Sequence, residues 1–208
     1  MTEGARGHLR GEGLACVRGD RELFASLDFE LHAGECLHVR GANGAGKTSL
    51  LRQLAGLSRP ASGKVLWNGT DIARDSDDYR AALLYLGHPS GVKDDLTVIE
   101  NLRIAAAIDG GALDEGDALS ALGRIGLNGR ADLPVRVLSQ GQRRRALLAR
   151  LIVRPARIWI LDEPFTALDV RAVGLVGELL SEHLAQGGMA VLTSHQAVPL
   201  AGARELEL

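Results

Sequence analysis

The stretch Gly41-Ala42-Asn43-Gly44-Ala45-Gly46-Lys47-Thr48 decides how the rest of this chain is read. It fits G-x-x-x-x-G-K-[ST] at every position. Cys36–Val39 before it reads as a short buried strand, and Thr48–Leu54 after it has the apolar spacing of a helix. A strand–loop–helix passage of this kind binds phosphate for physical reasons. Glycines let successive backbone amides curl around phosphate oxygens, and the helix start adds partial positive charge. On this reading Lys47 reaches the β- and γ-phosphates of a nucleotide, and Thr48 offers its hydroxyl oxygen to Mg²⁺. The competing reading is a Gly-rich turn that holds Lys-Thr by coincidence, and the placement between strand and helix argues against it. Lys47, Lys64 and Lys93 are the only lysines beside 21 arginines. A lysine at this position in so arginine-rich a chain fits a need for a compact, flexible charge.

Upstream, alternation over Leu23–Leu31 predicts a half-buried strand, with Ala33-Gly34 as the turn into Cys36. Residues 1–12, polar and Gly-rich, read as a poorly ordered lead-in. Downstream, Pro60 to Gly63 ends the helix, and Lys64–Trp67 reads as a strand running into a tight turn at Asn68-Gly69. Ala81–Leu86 is a further apolar strand. Leu96 to Leu127 turns helical, broken at Gly110-Gly111 and capped at Asp114, and Ser139–Val153 is a second long helical stretch. Arg157–Leu161 and Met189–Thr193 read as short buried strands, with Val170–Ala185 a helix between them. Strands alternating with helices predict an α/β fold with a largely parallel sheet. The helical middle, residues 89–155, reads as an inserted subdomain within one domain spanning 1–208.

Arg157–Leu161 leads into Asp162-Glu163. A carboxylate at the C-terminal edge of a parallel sheet, beside a phosphate loop, is placed to organise Mg²⁺ directly or through water. Glu163, on the other side of the chain, is placed to take a proton from an attacking water. Without the phosphate loop upstream, the same pair would read as an acidic loop capping a strand.

Composition excludes several classes. The chain has 208 residues, 46% apolar and 24% charged, which is ordinary globular usage, and a net charge of −2, so nothing in the total charge points to a nucleic-acid partner. Two cysteines, Cys16 and Cys36, are too few for a disulfide framework and point to a reducing compartment and core packing. The apolar runs are too short for a membrane span, and the N-terminus lacks the apolar segment of a secretory signal.

At this point the chain resembles the ATP-binding cassette (ABC) ATPases, from about Leu14 to Leu206. Leu138-Ser139-Gln140-Gly141-Gln142 looks like the family's signature motif, Leu161-Asp162-Glu163-Pro164 like its Walker B strand end, Ala167-Leu168-Asp169 like its D-loop and Thr193-Ser194-His195 like its switch-histidine segment. The resemblance implies a P-loop core with an N-terminal antiparallel β-subdomain and an inserted helical subdomain. It implies ATP and Mg²⁺ as cofactors, with Gly41 to Thr48 and Ser49 on ATP and Thr48 and Asp162 on the metal. Two chains would sandwich two ATP molecules, Ser139, Gln140, Gly141 and Gln142 of one facing the γ-phosphate held by Lys47 of the other. Glu163 would polarise the water, His195 would contact the γ-phosphate, and Asp169 would couple the two sites. Two positions depart from the family pattern. Arg18 stands where an aromatic ring often stacks on adenine, and His88 stands in place of the Q-loop glutamine.

His88 also narrows the resemblance. Leu84-Tyr85-Leu86-Gly87-His88, with Gly91-Val92-Lys93 and Trp159 through Ala167, is similar to the ATP-binding subunits of haem exporters in cytochrome c maturation. That likeness implies hydrophobic permease partners, a second copy of this chain, a peripheral position on the cytoplasmic face of a bacterial inner membrane, and no direct haem contact. Two other readings compete. One is a non-transport ABC ATPase acting on nucleic acid or the ribosome, which rests on the basic run Arg143, Arg144, Arg145, Arg150, Arg154 and Arg157; that run is either a solvated, salt-bridged helix face or a nucleic-acid or lipid-surface patch. A P-loop small-molecule kinase is the other, and it leaves Ser139–Gln142 and His195 without a role. His8, His32, His38 and His183 show no ligand-like spacing, so the sequence assigns them no metal.

Overall fold

In the computed structural model, which describes residues 7–74, 76–87 and 91–208, the run Ile158-Trp159-Ile160-Leu161 is a strand buried at all four positions. Side chains alternate across a strand, so an unbroken apolar run needs cover on both faces. Ile158 and Ile160 enter one core, and Trp159 and Leu161 enter another. The sheet that holds this strand therefore divides the molecule into two apolar layers.

In chain order the elements are β1 (His8–Arg18), β2 (Arg21–His32), β3 (Cys36–Arg40), α1 (Lys47–Leu54), β4 (Ser62–Trp67), β5 (Thr70–Asp71), α2 (Asp77–Ala82), β6 (Leu83–Leu86), α3 (Val98–Ile108), α4 (Glu115–Arg124), α5 (Gln140–Leu148), α6 (Arg150–Val153), β7 (Ile158–Leu161), α7 (Val170–Ala185), β8 (Met189–Thr193) and β9 (Arg204–Glu207). The parallel sheet runs β6-β7-β8-β3-β9, and an antiparallel sheet runs β2-β1-β4-β5. One core joins α1 and the antiparallel sheet to Leu37, Val39, Ile158, Ile160 and Val191. The other joins α3 to α7 to the opposite face through Leu84, Leu86, Trp159 and Leu192. The helical middle thus shares its core with α7 and the sheet. Among the described residues no helix is long and apolar enough to cross a membrane.

The α/β reading and most elements stand as expected. Asn68 and Gly69 both take positive φ, 50° and 84°, the pair a tight hairpin needs between β4 and β5. Asp114 caps α4 by accepting from the Gly116 amide at 2.7 Å. Cys16 and Cys36 are free and buried, and burial pushes the Cys36 thiol up to about 12.

Four boundaries differ. Residues 8–12, read as part of a poorly ordered lead-in, belong to β1, which is paired on both sides, with Leu9 fully buried. Glycine hides the pattern there. A Cβ on Gly11 would lie 2.5 Å from the Phe29 ring, so β1 supplies space where an apolar side chain would announce a strand. Residues 1–6 lie outside the described residues. Ala81 and Ala82 end a helix and do not start β6. Ser139–Val153 divides at Ala149 into α5 and α6. β9, Arg-Glu-Leu-Glu, carries too little apolar signal to be read from sequence and adds to the parallel sheet beside β3.

Candidate functional site

Strands β3, β7 and β8 all point the same way, so the segments leaving them meet at one edge of the parallel sheet, where such folds hold ligands. β8 lies between β3 and β7. The loop after β3 enters α1 with Gly41, Gly44 and Gly46 at φ 139°, 81° and 110°, conformations that favour glycine. A Cβ on Gly46 would also lie 3.0 Å from the Phe24 ring. Lys47 Nζ folds back, donating to the Gly41 carbonyl at 2.7 Å and the Ala42 carbonyl at 3.2 Å.

Asp162 leaves β7 almost wholly buried, at 2% exposure. A carboxylate so placed requires partners, and it has them. Thr48 Oγ1 donates to Oδ2 at 2.8 Å, and Thr193 Oγ1 donates to Oδ1 at 2.8 Å. Thr193 Oγ1 in turn accepts from the Glu163 amide at 2.9 Å. The Thr48 hydroxyl and Asp162 carboxylate are hard oxygen donors meeting at the head of α1, a pair that fits Mg²⁺.

Glu163 takes φ 50°, a left-handed conformation that costs a non-glycine residue about 1–3 kcal/mol. The turn carries its carboxylate under the segment after β8. The His195 amide donates to Oε2 at 3.4 Å, and His195 Nε2 lies 3.5 Å from Oε1. Oε1 is shielded from solvent and makes no hydrogen bond, leaving an acceptor free.

Lys47, Thr48, Asp162, Glu163 and His195 line a cleft of about 410 Å³ with Arg18, Arg21, Leu23, Asn43, Gly44, Gly46 and Ser49. Arg18 and Arg21 pair in register across the β1–β2 turn, and both line the cleft. Gly41 and Ala42 lie behind the loop as carbonyl acceptors for Lys47, and Ala45 closes it by donating its amide to Ala42 at 3.1 Å. Ser139, Gln140, Gly141 and Gln142 lie outside the cleft, at the start of α5. Ser139 and Gln142 form a reciprocal cap: the Gln142 amide donates to Ser139 Oγ at 3.3 Å, and the Ser139 amide donates to Gln142 Oε1 at 3.0 Å. Asp169 caps α7 by accepting from the Ala172 amide at 2.8 Å. His88 falls outside the described residues.

Sequence reasoning missed Arg21 and Arg144. Arg144, one of the basic run, turns inward from α5. Its guanidinium donates to the carbonyls of Asp162 at 2.9 Å, Glu163 at 2.6 Å and Pro164 at 3.2 Å, and burial lowers its pKa against the pull of Asp162 and Glu163. It therefore holds the strained turn that presents Glu163. No sequence signal separates it from Arg143 and Arg145. The rest of the run is also engaged. Arg143 pairs with Asp94, Arg150 and Arg154 share Asp109, and Arg145 donates to the Gly126 carbonyl. The salt-bridged helix face accounts for this run better than a nucleic-acid patch does, with Arg144 and Arg145 given over to backbone carbonyls.

A phosphate loop, a buried aspartate, a strained glutamate under a histidine and a capped signature helix define an ATP-binding domain of the ABC class. The profile of the ABC transporter family matches residues 24–166, and the chain belongs to that family. It is 56% identical over 188 residues, 90% of this chain and 88% of the relative, to the cytochrome c biogenesis ATP-binding export protein CcmA of Nitrosomonas europaea. It is 54% identical to the protein of that name from Methylococcus capsulatus, covering 93% of this chain and 94% of the relative. Within the family it stands with this CcmA type. Among solved structures it is similar to a putative ABC transporter ATP-binding protein from Pyrococcus furiosus, with a TM-score of 0.82, 25% identity and 97% of each chain covered.

Proposed function

We propose that this chain is the ATP-hydrolysing subunit of a transporter complex that serves haem export in cytochrome c biogenesis. The observation that carries the reading is a cleft that gathers the phosphate loop, Asp162, Glu163 and His195 in a chain more than half identical to CcmA proteins over nine-tenths of its length. Lys47 exchanges the Gly41 and Ala42 carbonyls for phosphate oxygens, and the loop amides hold the rest of the triphosphate. Thr48 and Asp162 would hold Mg²⁺, which would supply charge neutralisation on the phosphates when bound. Glu163 Oε1 takes a proton from the attacking water, and His195 keeps that carboxylate and the γ-phosphate in register. Arg18 and Arg21 stack on or pair with the nucleotide.

The signature segment serves a second copy of the chain, since it lies outside its own cleft. Asp169 couples the two sites, and His88 takes the place of the Q-loop glutamine. Hydrophobic permease subunits anchor the assembly to the cytoplasmic face of an inner membrane. Haem contacts belong to those subunits, and no nucleic acid is involved. Co-expression with a candidate permease tests this. The chain should leave the membrane fraction only with detergent and hydrolyse ATP in the purified complex. A chain that never associates with membrane protein would overturn the transport reading.

A further inference from the structure

Away from the nucleotide cleft, one set of ligand-type side chains converges. His8 opens β1 and His32 closes β2, and the antiparallel register sets them directly opposite each other. Glu30, two residues before His32, shares their face of the sheet. The two imidazoles stack with centroids 4.5 Å apart and planes 6° from parallel. Nε2 of His8 and Nε2 of His32 face the same oxygen, Glu30 Oε2, at 4.0 and 3.8 Å, beyond hydrogen-bond length. The three ligand atoms lie within 4.8 Å of one another. His8 Nε2 is shielded from solvent yet bonds to nothing, an arrangement folded proteins seldom keep without a partner. Arg10 holds the other carboxylate oxygen, Oε1, at 3.2 Å, which leaves Oε2 to the imidazoles.

We propose that His8, Glu30 and His32 bind a divalent transition-metal ion of the Zn²⁺, Ni²⁺ or Co²⁺ class. Two imidazole nitrogens and one carboxylate oxygen suit such borderline ions and suit Mg²⁺ or Ca²⁺ poorly. Bonds of about 2.1 Å put tetrahedral donors roughly 3.4 Å apart. The imidazole nitrogens must therefore each close on Glu30 Oε2 by about half an ångström. The most widely spaced donors, which lie within 4.8 Å, must close by up to about 1.4 Å, and the rings must tilt out of their stack so that both lone pairs meet the ion. The side chains of His8, Glu30 and His32 are 32%, 47% and 55% exposed, which leaves them room to turn and leaves the outer positions of the ion to water. Arg10 opposes the ion, but its charge is divided between Glu30 and Glu12. The site stands at the far end of β1 from Arg18 and the nucleotide, on the order of 30 Å away. An ion here would clip the start of β1 to the end of β2. Sequence spacing hides the site because residues 8 and 32 meet only through strand register.

The test titrates the nucleotide-free 208-residue chain with Zn²⁺ and Ni²⁺ by calorimetry, and with Co²⁺ by visible absorption. One ion should bind per chain, with millimolar Mg²⁺ unable to displace it. His8→Ala and His32→Ala should each weaken binding at least about tenfold, the double variant should abolish it, and Glu30→Gln should have a smaller effect. ATP binding at the distant cleft serves as the check that each variant is folded. Absence of stoichiometric binding, or binding that survives in the double variant, would overturn the proposal.

Discussion

The nucleotide cleft and the signature segment belong to one chain but are finished to different degrees. In the cleft, Asp162 is buried and both its carboxylate oxygens are bonded, to Thr48 and Thr193. At the start of α5, Ser139 and Gln140 are exposed, and the side chains of Ser139 and Gln142 satisfy only each other's backbone. A capped helix start is a ready anion site, yet this one faces no phosphate loop of its own chain. The contrast supports a catalytic unit completed by a second copy. The two regions are nevertheless tied together. A Cβ on Gly141 would come within 2.8 Å of the Ala167 carbonyl, so α5 and the segment before Asp169 pack backbone to backbone. One helical turn on, Arg144 grips the carbonyls of Asp162, Glu163 and Pro164. Any shift of the signature helix therefore pulls on the turn that carries Glu163.

The largest expected effect breaks the cleft alone. Glu163→Gln should lower ATP hydrolysis by roughly 10²–10⁴-fold while nucleotide binding persists, and should accumulate an ATP-bound dimer visible by light scattering. Hydrolysis at the wild-type rate would remove Glu163 from the base role. Next comes the tie between the regions. Arg144→Met leaves three carbonyls short of a donor and should cost about 2 kcal/mol in urea unfolding. It should also lower kcat about tenfold with KM little changed, because Glu163 loses its support and Lys47 does not. A proportional rise in KM would assign Arg144 to nucleotide binding.

Ser139→Ala addresses the exposed region. Losing the cap should destabilise the chain by about 1 kcal/mol. If α5 serves a neighbouring chain, hydrolysis by the assembled complex should fall while the isolated chain binds ATP as before. Weaker ATP binding by the isolated chain would place the segment in its own cleft.

The smallest effect lies away from both regions and serves as a control. His183 stacks on Trp159 with ring centroids 3.8 Å apart, and burial lowers its pKa from 6.5, the hydrogen bond with the Met189 carbonyl working the other way. The unfolded chain therefore binds this proton first. The stability that comes from the neutral ring is full above about pH 6.5 and is lost as pH falls toward the lower folded value. His183→Phe should lose less stability than the parent chain between about pH 7.5 and about pH 5.5 in urea unfolding. An equal loss in both would clear His183 of any part in acid sensitivity.

Legibility in the sequence followed how local each feature is. β7, α7 and β8 were readable because an unbroken apolar run or a helical period is written in adjacent residues. β1 was hidden by glycines that make room for Phe29, and β9 by charge. The same division runs through the site. Gly41–Thr48, Asp162-Glu163 and the Ser139 cap are short segments whose chemistry comes with their spacing, so the sequence by itself determined the phosphate loop, the acidic pair and the α/β class. The tertiary structure alone decided which arginine of the basic run turns inward, that Asp162 bridges Thr48 and Thr193, that Arg21 joins Arg18 in lining the cleft, and that His8 meets His32. Each of these depends on strand order or register between distant segments, and no local pattern of side chains records which distant neighbour a residue will face.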